Sequence, residues 1–135
     1  MDDIYKSAGI IIQDRKLLFT RAEEMEFFID PGGKIEKGET AEQALVRELK
    51  EELDIDVHES FLEFFGEYVA EAANHKGRTV HMKAFMVKKW HGEIKPSAEV
   101  EEIRWLTSKL PSDIRVGSIF GGKVLPDLHS KGLVD

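Results

Sequence analysis

Gly32-Gly33-Lys34-Ile35-Glu36-Lys37-Gly38-Glu39-Thr40 opens the stretch that decides this chain, which runs on to Arg47-Glu48-Leu49-Lys50-Glu51-Glu52-Leu53-Asp54-Ile55. It begins as a glycine loop and becomes a helix crowded with carboxylates. Thr40 is placed to cap that helix, its hydroxyl accepting from an otherwise orphaned backbone N–H. Ala41, Ala44, Leu45, Leu49 and Leu53 recur at helical spacing and are expected to face a core. Glu48 and Glu52 fall one turn apart with Glu51 on the same side, and Glu52 lies close to the Leu45–Leu49 line. Arg47, by the same helical wheel, points away from the three carboxylates. Three carboxylates at the margin of a buried face repel one another and lose hydration, which is costly without a cation. A hard divalent ion such as Mg²⁺ supplies it through oxygen ligands and retained waters. The alternative reading of the three glutamates is a solvated acidic helix face.

Working outward, the whole chain has 135 residues, enough for one domain (1–135) with a real core. Its net charge of −7 argues against a nucleic-acid polymer as partner, because that affinity rests on Lys and Arg neutralising phosphates. A small phosphorylated substrate stays compatible, since a bound cation supplies positive charge locally. The absence of cysteine excludes a disulfide, a thiolate metal site and a cysteine nucleophile. The first residues, Met1-Asp2-Asp3-Ile4-Tyr5-Lys6, lack a basic region followed by an apolar run, so no signal peptide is expected. No apolar stretch is long enough to span a bilayer. A cytoplasmic location is the expectation.

Before the loop, Ser7 to Gln13 and Leu17 to Arg21 read as strands joined by a turn at Asp14-Arg15-Lys16. Glu23 to Asp30 is a loop with apolar teeth, Met25, Phe27, Phe28 and Ile29, which either pack inward or line a substrate pocket. After the helix, Phe64 to Ala73 and Thr79 to Trp90 read as paired strands around a turn at Asn74-His75-Lys76-Gly77. Val100 to Leu106 reads as another strand. Ile119, Val124, Leu125 and Leu128 predict a last helix from about Ser118 to Leu133, with Pro126 near its start or kinking it. Many strands and only two helices imply an α+β layered domain.

The organising stretch resembles the Nudix box, Gly-x5-Glu-x7-Arg-Glu-U-x-Glu-Glu-x-Gly-U with U aliphatic. Gly33, Glu39, Arg47, Glu48, Leu49, Glu51, Glu52 and Ile55 match, and Asp54 stands where the family has its last Gly. Asp is among the residues that enter the left-handed conformation such a Gly supplies, so the departure is expected to spare the chemistry. The resemblance implies the Nudix fold, a mixed β-sheet sandwiched between α-helices. It also implies a metal-dependent pyrophosphohydrolase acting on a nucleoside diphosphate linked to a further group, with a nucleoside triphosphate or related small nucleotide the first expectation. By correspondence, Glu48, Glu51, Glu52 and the Gly32 carbonyl hold Mg²⁺ or Mn²⁺, while Gly33 and an Arg47–Glu39 pair shape the loop. The general base is Glu48 or Glu52 within the box, or an outside glutamate among Glu99, Glu101 and Glu102. Glu99 is the first choice, because it sits six residues ahead of Trp105 as in MutT-type members. Arg21, Lys34, Phe28 and Arg78 are candidates for contacting substrate.

Two departures bear on the substrate. MutT-type members carry an aromatic or Leu before Pro-Gly-Gly where this chain has Asp30, and no C-terminal asparagine is present to read an oxidised guanine. Both weigh against oxidised dGTP. A hydrolase of ADP-ribose or sugar nucleotides, a catalytically silent nucleotide-binding module and a metal-binding helix on an unrelated scaffold are the alternatives. The oligomeric state is open between monomer and homodimer.

Overall fold

The computed structural model describes residues 3–71 and 77–135. In chain order they form β1 (Ile4–Ile10), β2 (Ile12–Gln13), β3 (Lys16–Ala22), β4 (Gly32–Lys34), α1 (Ala41–Leu53), β5 (Leu62–Glu71), β6 (Thr79–Val87), β7 (Val100–Leu106) and α2 (Leu125–Ser130). One sheet has the order β4-β1-β6-β5, with β1 parallel to β6 and the other pairs antiparallel; β2-β3-β7 form a second, antiparallel sheet. This is the expected α+β layering. The expected turn at Asn74-His75-Lys76 lies outside the described residues.

Strand alternation explains why there are two helical layers. Ala84 and Phe85 are successive on β6, so their side chains leave opposite faces of the sheet. Ala84 joins Ala8, Ile10, Phe19, Phe120, Val124, Leu125 and Leu128 in one cluster; Phe85 joins Ala41, Leu45, Leu49 and Leu53 of α1 in the other. The five apolar positions expected to face the core are the five buried residues of α1. Thr40 caps it within a capping box: Gln43 N donates to Thr40 Oγ1, and Thr40 N donates to Gln43 Oε1. Asp54 ends it in the left-handed region, at φ 55° and ψ 37°.

Some boundaries differ from the sequence reading. The run from Ser7 to Gln13 is not one strand. Ile10 and Ile11 are both fully buried but serve different clusters, so the chain leaves the first sheet there and β2 pairs in the second. Asp14 and Arg15 make the hairpin turn with positive φ at both positions. The last helix is also shorter than expected. Gly121 and Gly122 favour a helix little and Pro126 offers no N–H, so a π-helical turn (Phe120–Val124) leads into α2 with Pro126 in its first turn.

Candidate active site

The glycine loop and α1 meet at two glycines, one closed to a side chain by backbone and the other by the Glu48 carboxylate. A Cβ on Gly32, whose φ is 140°, would lie 2.1 Å from Ser7 O. A Cβ on Gly33 would lie 2.6 Å from Glu48 Cδ, so Gly33 is the space into which the Glu48 carboxylate fits. Gly32 N donates to Glu52 Oε1 at 2.8 Å, which ties the turn C-terminal to Pro31 directly to the helix.

Arg47 organises the other side. Its Nε and Nη2 donate to the two oxygens of Glu39 at 2.8 and 3.0 Å, a bidentate fork, and Nη2 also reaches Lys34 O at 3.2 Å. That fork holds the Glu39 carboxyl down to about 2, helped by a hydrogen bond from Glu36 N. The helical wheel misplaced the guanidinium, however. Arg47 Nη1 donates to Glu48 Oε1 at 2.7 Å and lies 3.8 Å from Glu51 Oε1, because a wheel fixes only the Cβ direction and this stem is long enough to curl back.

The three helix carboxylates occupy distinct environments. Glu52 is pushed up to about 8, first by burial and then by the neighbouring charges of Glu48 and Asp30, against the opposing bond from Gly32. Burial also raises Glu48, partly offset by Arg47 and reinforced by Glu51 and Glu99. Glu51 is exposed, at 54% of its side-chain surface. Acidic groups thus crowd one end of α1 with one guanidinium among them.

The family model of the NUDIX domain matches residues 4–127, and the box glycines, glutamates and arginine lie within that span.

The chain belongs to the Nudix family.

Among the relatives of this Nudix protein is the 8-oxo-dGTP diphosphatase of Escherichia coli K12, 44% identical over 69% of this chain and 72% of that protein. The CTP pyrophosphohydrolase of the same organism is 37% identical over 64% of each, so the chain matches just under two thirds of that relative's length. The solution structure of the E. coli ORF135 protein superposes over 100% of this chain and 96% of its own, with a TM-score of 0.77 and 27% identity.

The other residues expected at the site are placed unequally. Glu99 is exposed, yet near enough to Glu48 for its charge to raise it. Glu101 and Glu102 instead pair with Arg21, at 3.4 and 3.2 Å, and Arg104 adds a 2.8 Å bond to Glu102. Arg21 is thereby held in a surface network, which also takes in Ala22 O and Met25 O, rather than presented to a ligand. Phe28 is 4% exposed and belongs to the core, its ring beneath Arg21 and Arg104; of the loop's apolar residues it is the one that packs inward most completely. Lys34 is exposed on β4, beside the box. Arg78 precedes β6 and is partly buried.

Whether this donor set suits a divalent cation is answered by its chemistry. The charge of Glu48 raises the proton affinity of Glu52, and those of Glu51 and Glu99 raise that of Glu48, as carboxylates do where a cation would otherwise compensate them. All the donors are oxygen, as Mg²⁺ requires. Among the described residues no three acidic or histidine side chains stand at ligating spacing, because Arg47 holds Glu48 and Gly32 N–H holds Glu52. The residues fit the ion, and these two carboxylates must turn to meet it.

Sequence reading passed over Lys6 beside this site and took Asp30 only as a departure that bears on the substrate, not as a buried charge. Asp30 is 3% exposed and its carboxylate pairs with Lys6 of β1. The available signal was a charged residue set between Ile29 and Pro31.

Proposed function

We propose that this protein is a metal-dependent pyrophosphohydrolase of small nucleotides. The observation that carries the reading is the junction of loop and helix: Gly32 N–H on Glu52, Glu48 seated against Gly33, and Arg47 bridging Glu39 to Glu48. A pyrophosphate is anionic and repels a nucleophile, so a site for its hydrolysis must neutralise charge, orient water and stabilise the leaving phosphate. Glu48, Glu51 and Glu52, with the Gly32 carbonyl, are the residues that would hold Mg²⁺ or Mn²⁺. Such an ion, when bound, polarises phosphoryl oxygens and lowers the pKa of bound water. Arg47 keeps Glu48 at the site and, through Glu39, fixes the loop against the helix. Glu99 is assigned as the base that takes the proton from the attacking water, being exposed and close to Glu48. Lys34, exposed beside the box, is assigned to meet a phosphate.

The names of the relatives, CTP pyrophosphohydrolase and 8-oxo-dGTP diphosphatase, support nucleoside triphosphates as the substrate class. Phosphate or pyrophosphate release from canonical and oxidised nucleoside triphosphates, ADP-ribose and sugar nucleotides, with Mg²⁺, with Mn²⁺ and with EDTA, tests the proposal. Cation-dependent cleavage of triphosphates to monophosphate and pyrophosphate is expected. Silence across that panel with either ion would overturn it in favour of a nucleotide-binding module.

A further inference from the structure

On the side of α1 turned away from the proposed reaction centre lies a groove of about 450 Å³, within the roughly 300–1,000 Å³ that takes a small ligand. Val46 and Lys50 of α1 line it. Each stands two residues ahead of Glu48 or Glu52, and two steps of about 100° put them about 200° round the helix from those carboxylates. Gly32, Glu48, Glu51 and Glu52 take no part in its lining. The other walls are the segment after α1 and the segment after β6. A pair of backbone hydrogen bonds between Asp56 and His91, each 2.9 Å, joins them. Lys88 N donates to Phe61 O at 2.9 Å and fixes the start of β5 against the same segment. Backbone bonds thus hold the groove in shape, and no ligand is needed to form it.

Its apolar lining is Val46, Ile55, Val57 and Phe61; Ile55 and Val57 are buried, while Phe61 stays open to solvent. The polar lining is unbalanced. Lys50 and Asp56 pair with each other at 3.6 Å, and Lys50 also meets Asp54 at 3.3 Å. What remains is rich in donors. Lys89 has no carboxylate partner among the described residues, and its ammonium lies 5.5 Å from the centre of the Phe61 ring. His58 Nδ1 accepts from Ser60 N at 3.1 Å, which leaves the proton of the neutral ring on Nε2. Trp90 offers an indole N–H that donates to no group among the described residues. His91 adds a ring N–H in either tautomer. An apolar slot with uncommitted donors matches a ligand with an apolar body and an acceptor head. A carboxylate or phosphate accepts such bonds in their stronger, charge-assisted form. An aromatic body meets the Phe61 ring and the Trp90 indole.

We propose that this groove is a second ligand site, which binds a flat aromatic ring carrying an anionic group. Lys89 and its neighbouring donors hold the anion, and the ring lies against Phe61 and Val57. Two sources share that chemistry, a free aryl carboxylate and a nucleoside monophosphate. A neutral ring keeps the apolar burial and gives up the charge-assisted bonds. A cationic ring is repelled by Lys89. The site stands apart from the one proposed for hydrolysis and does not rest on that reading.

Two-dimensional ¹⁵N–¹H NMR of the full chain tests it. The chain has two tryptophans, Trp90 and Trp105, and a Trp105→Phe variant assigns their two indole cross-peaks. The probes are 2-naphthoate, 2-naphthylmethanol, 2-naphthylmethylamine and AMP, all in EDTA so that no cation draws AMP to the box glutamates. 2-Naphthoate is expected to shift the Trp90 indole peak saturably and to bind about tenfold tighter than the alcohol, the worth of a hydrogen bond to a charged group. The amine leaves the peak in place. AMP acting on the same peak names a nucleoside monophosphate as the source, and 2-naphthoate acting alone names an aryl carboxylate; both uphold the site. Lys89→Gln, at an exposed position, keeps the fold and brings 2-naphthoate down to the affinity of the alcohol. A Trp90 peak unmoved by 2-naphthoate at millimolar concentration overturns the proposal, as does equal affinity for 2-naphthoate and the alcohol. So does a preference for 2-naphthoate that survives Lys89→Gln, or shifts confined to the Gly32 and Gly33 amides, which report the loop instead.

Discussion

At the scale of single residues, Glu52 is where burial and chemistry conflict. Its carboxyl is pushed from 4.5 to about 8 in the folded chain without metal, first by desolvation. The folded protein therefore binds this proton more tightly than the unfolded chain does between those two values. The contribution of this group to stability without metal is fullest below about pH 4.5 and is lost as the pH rises through about 8, by a few kcal/mol at most. Glu48 is raised in the same direction and adds to the slope. Glu52→Gln removes the titration, so urea denaturation in EDTA at pH 6 and pH 9 is expected to show a smaller loss between the two than in the unaltered protein. The same substitution keeps the shape of the side chain and leaves the fold nearly intact, while turnover falls by orders of magnitude for want of a charged ligand, about 10²–10³-fold. Turnover near the original rate, measured by pyrophosphate release, would remove Glu52 from the proposed cation site.

For the elements, the question is what keeps α1 against the loop. The helix docks through its buried stripe, but its start is held by the reciprocal bonds between Thr40 and Gln43. Thr40→Ala gives up the hydroxyl acceptor and is expected to cost about 1 kcal/mol, read as a lower urea midpoint at unchanged m-value. The other end relies on Asp54, whose left-handed backbone is accompanied by ion pairs to Lys50 and Lys95 at 3.3 and 3.4 Å. Those exposed pairs accompany a residue type that tolerates the conformation, which is why the family's glycine is dispensable here. How much of this was legible follows the range of the interaction. The capping box, the apolar stripe and the left-handed stop are local and could be read along the chain. The last helix was over-extended, because periodicity in Ile119, Val124 and Leu125 does not distinguish an α-turn from the π-helical turn that Gly121, Gly122 and Pro126 impose.

Across the whole molecule, the proposed cation site is a joint between layers. The Gly32 end of β4 belongs to one sheet, Glu48 and Glu52 to the helix covering it, and Glu99 to the approach to β7 of the other sheet. A divalent ion there binds the folded chain and not the unfolded one, so it must raise stability by linkage. At 100 times its dissociation constant Mg²⁺ is expected to add about 2.7 kcal/mol, seen as a rise in Tm by scanning calorimetry. The rise should be largely lost in Glu52→Gln. An unchanged Tm on saturating Mg²⁺ and Mn²⁺ would count against the site as drawn.

The sequence by itself determined the elements that local chemistry encodes: the capped helix, its buried face, the box spacing and through it the family. It also supplied the glutamates, since covalent spacing fixes which residues share a helix face. Tertiary structure alone decided where long side chains end and which distant segments meet. Arg47 turns back onto Glu48 because Glu39, Lys34 O and Glu48 surround it in space, a matter no helical wheel holds. Phe28 goes to the core and Asp30 is buried because the segment between them is pinned through Phe28 to Arg115 and Gly117 and through Ile29 to Thr20. The Lys6–Asp30 pair joins residues 24 positions apart, and no periodicity within either segment announces the other.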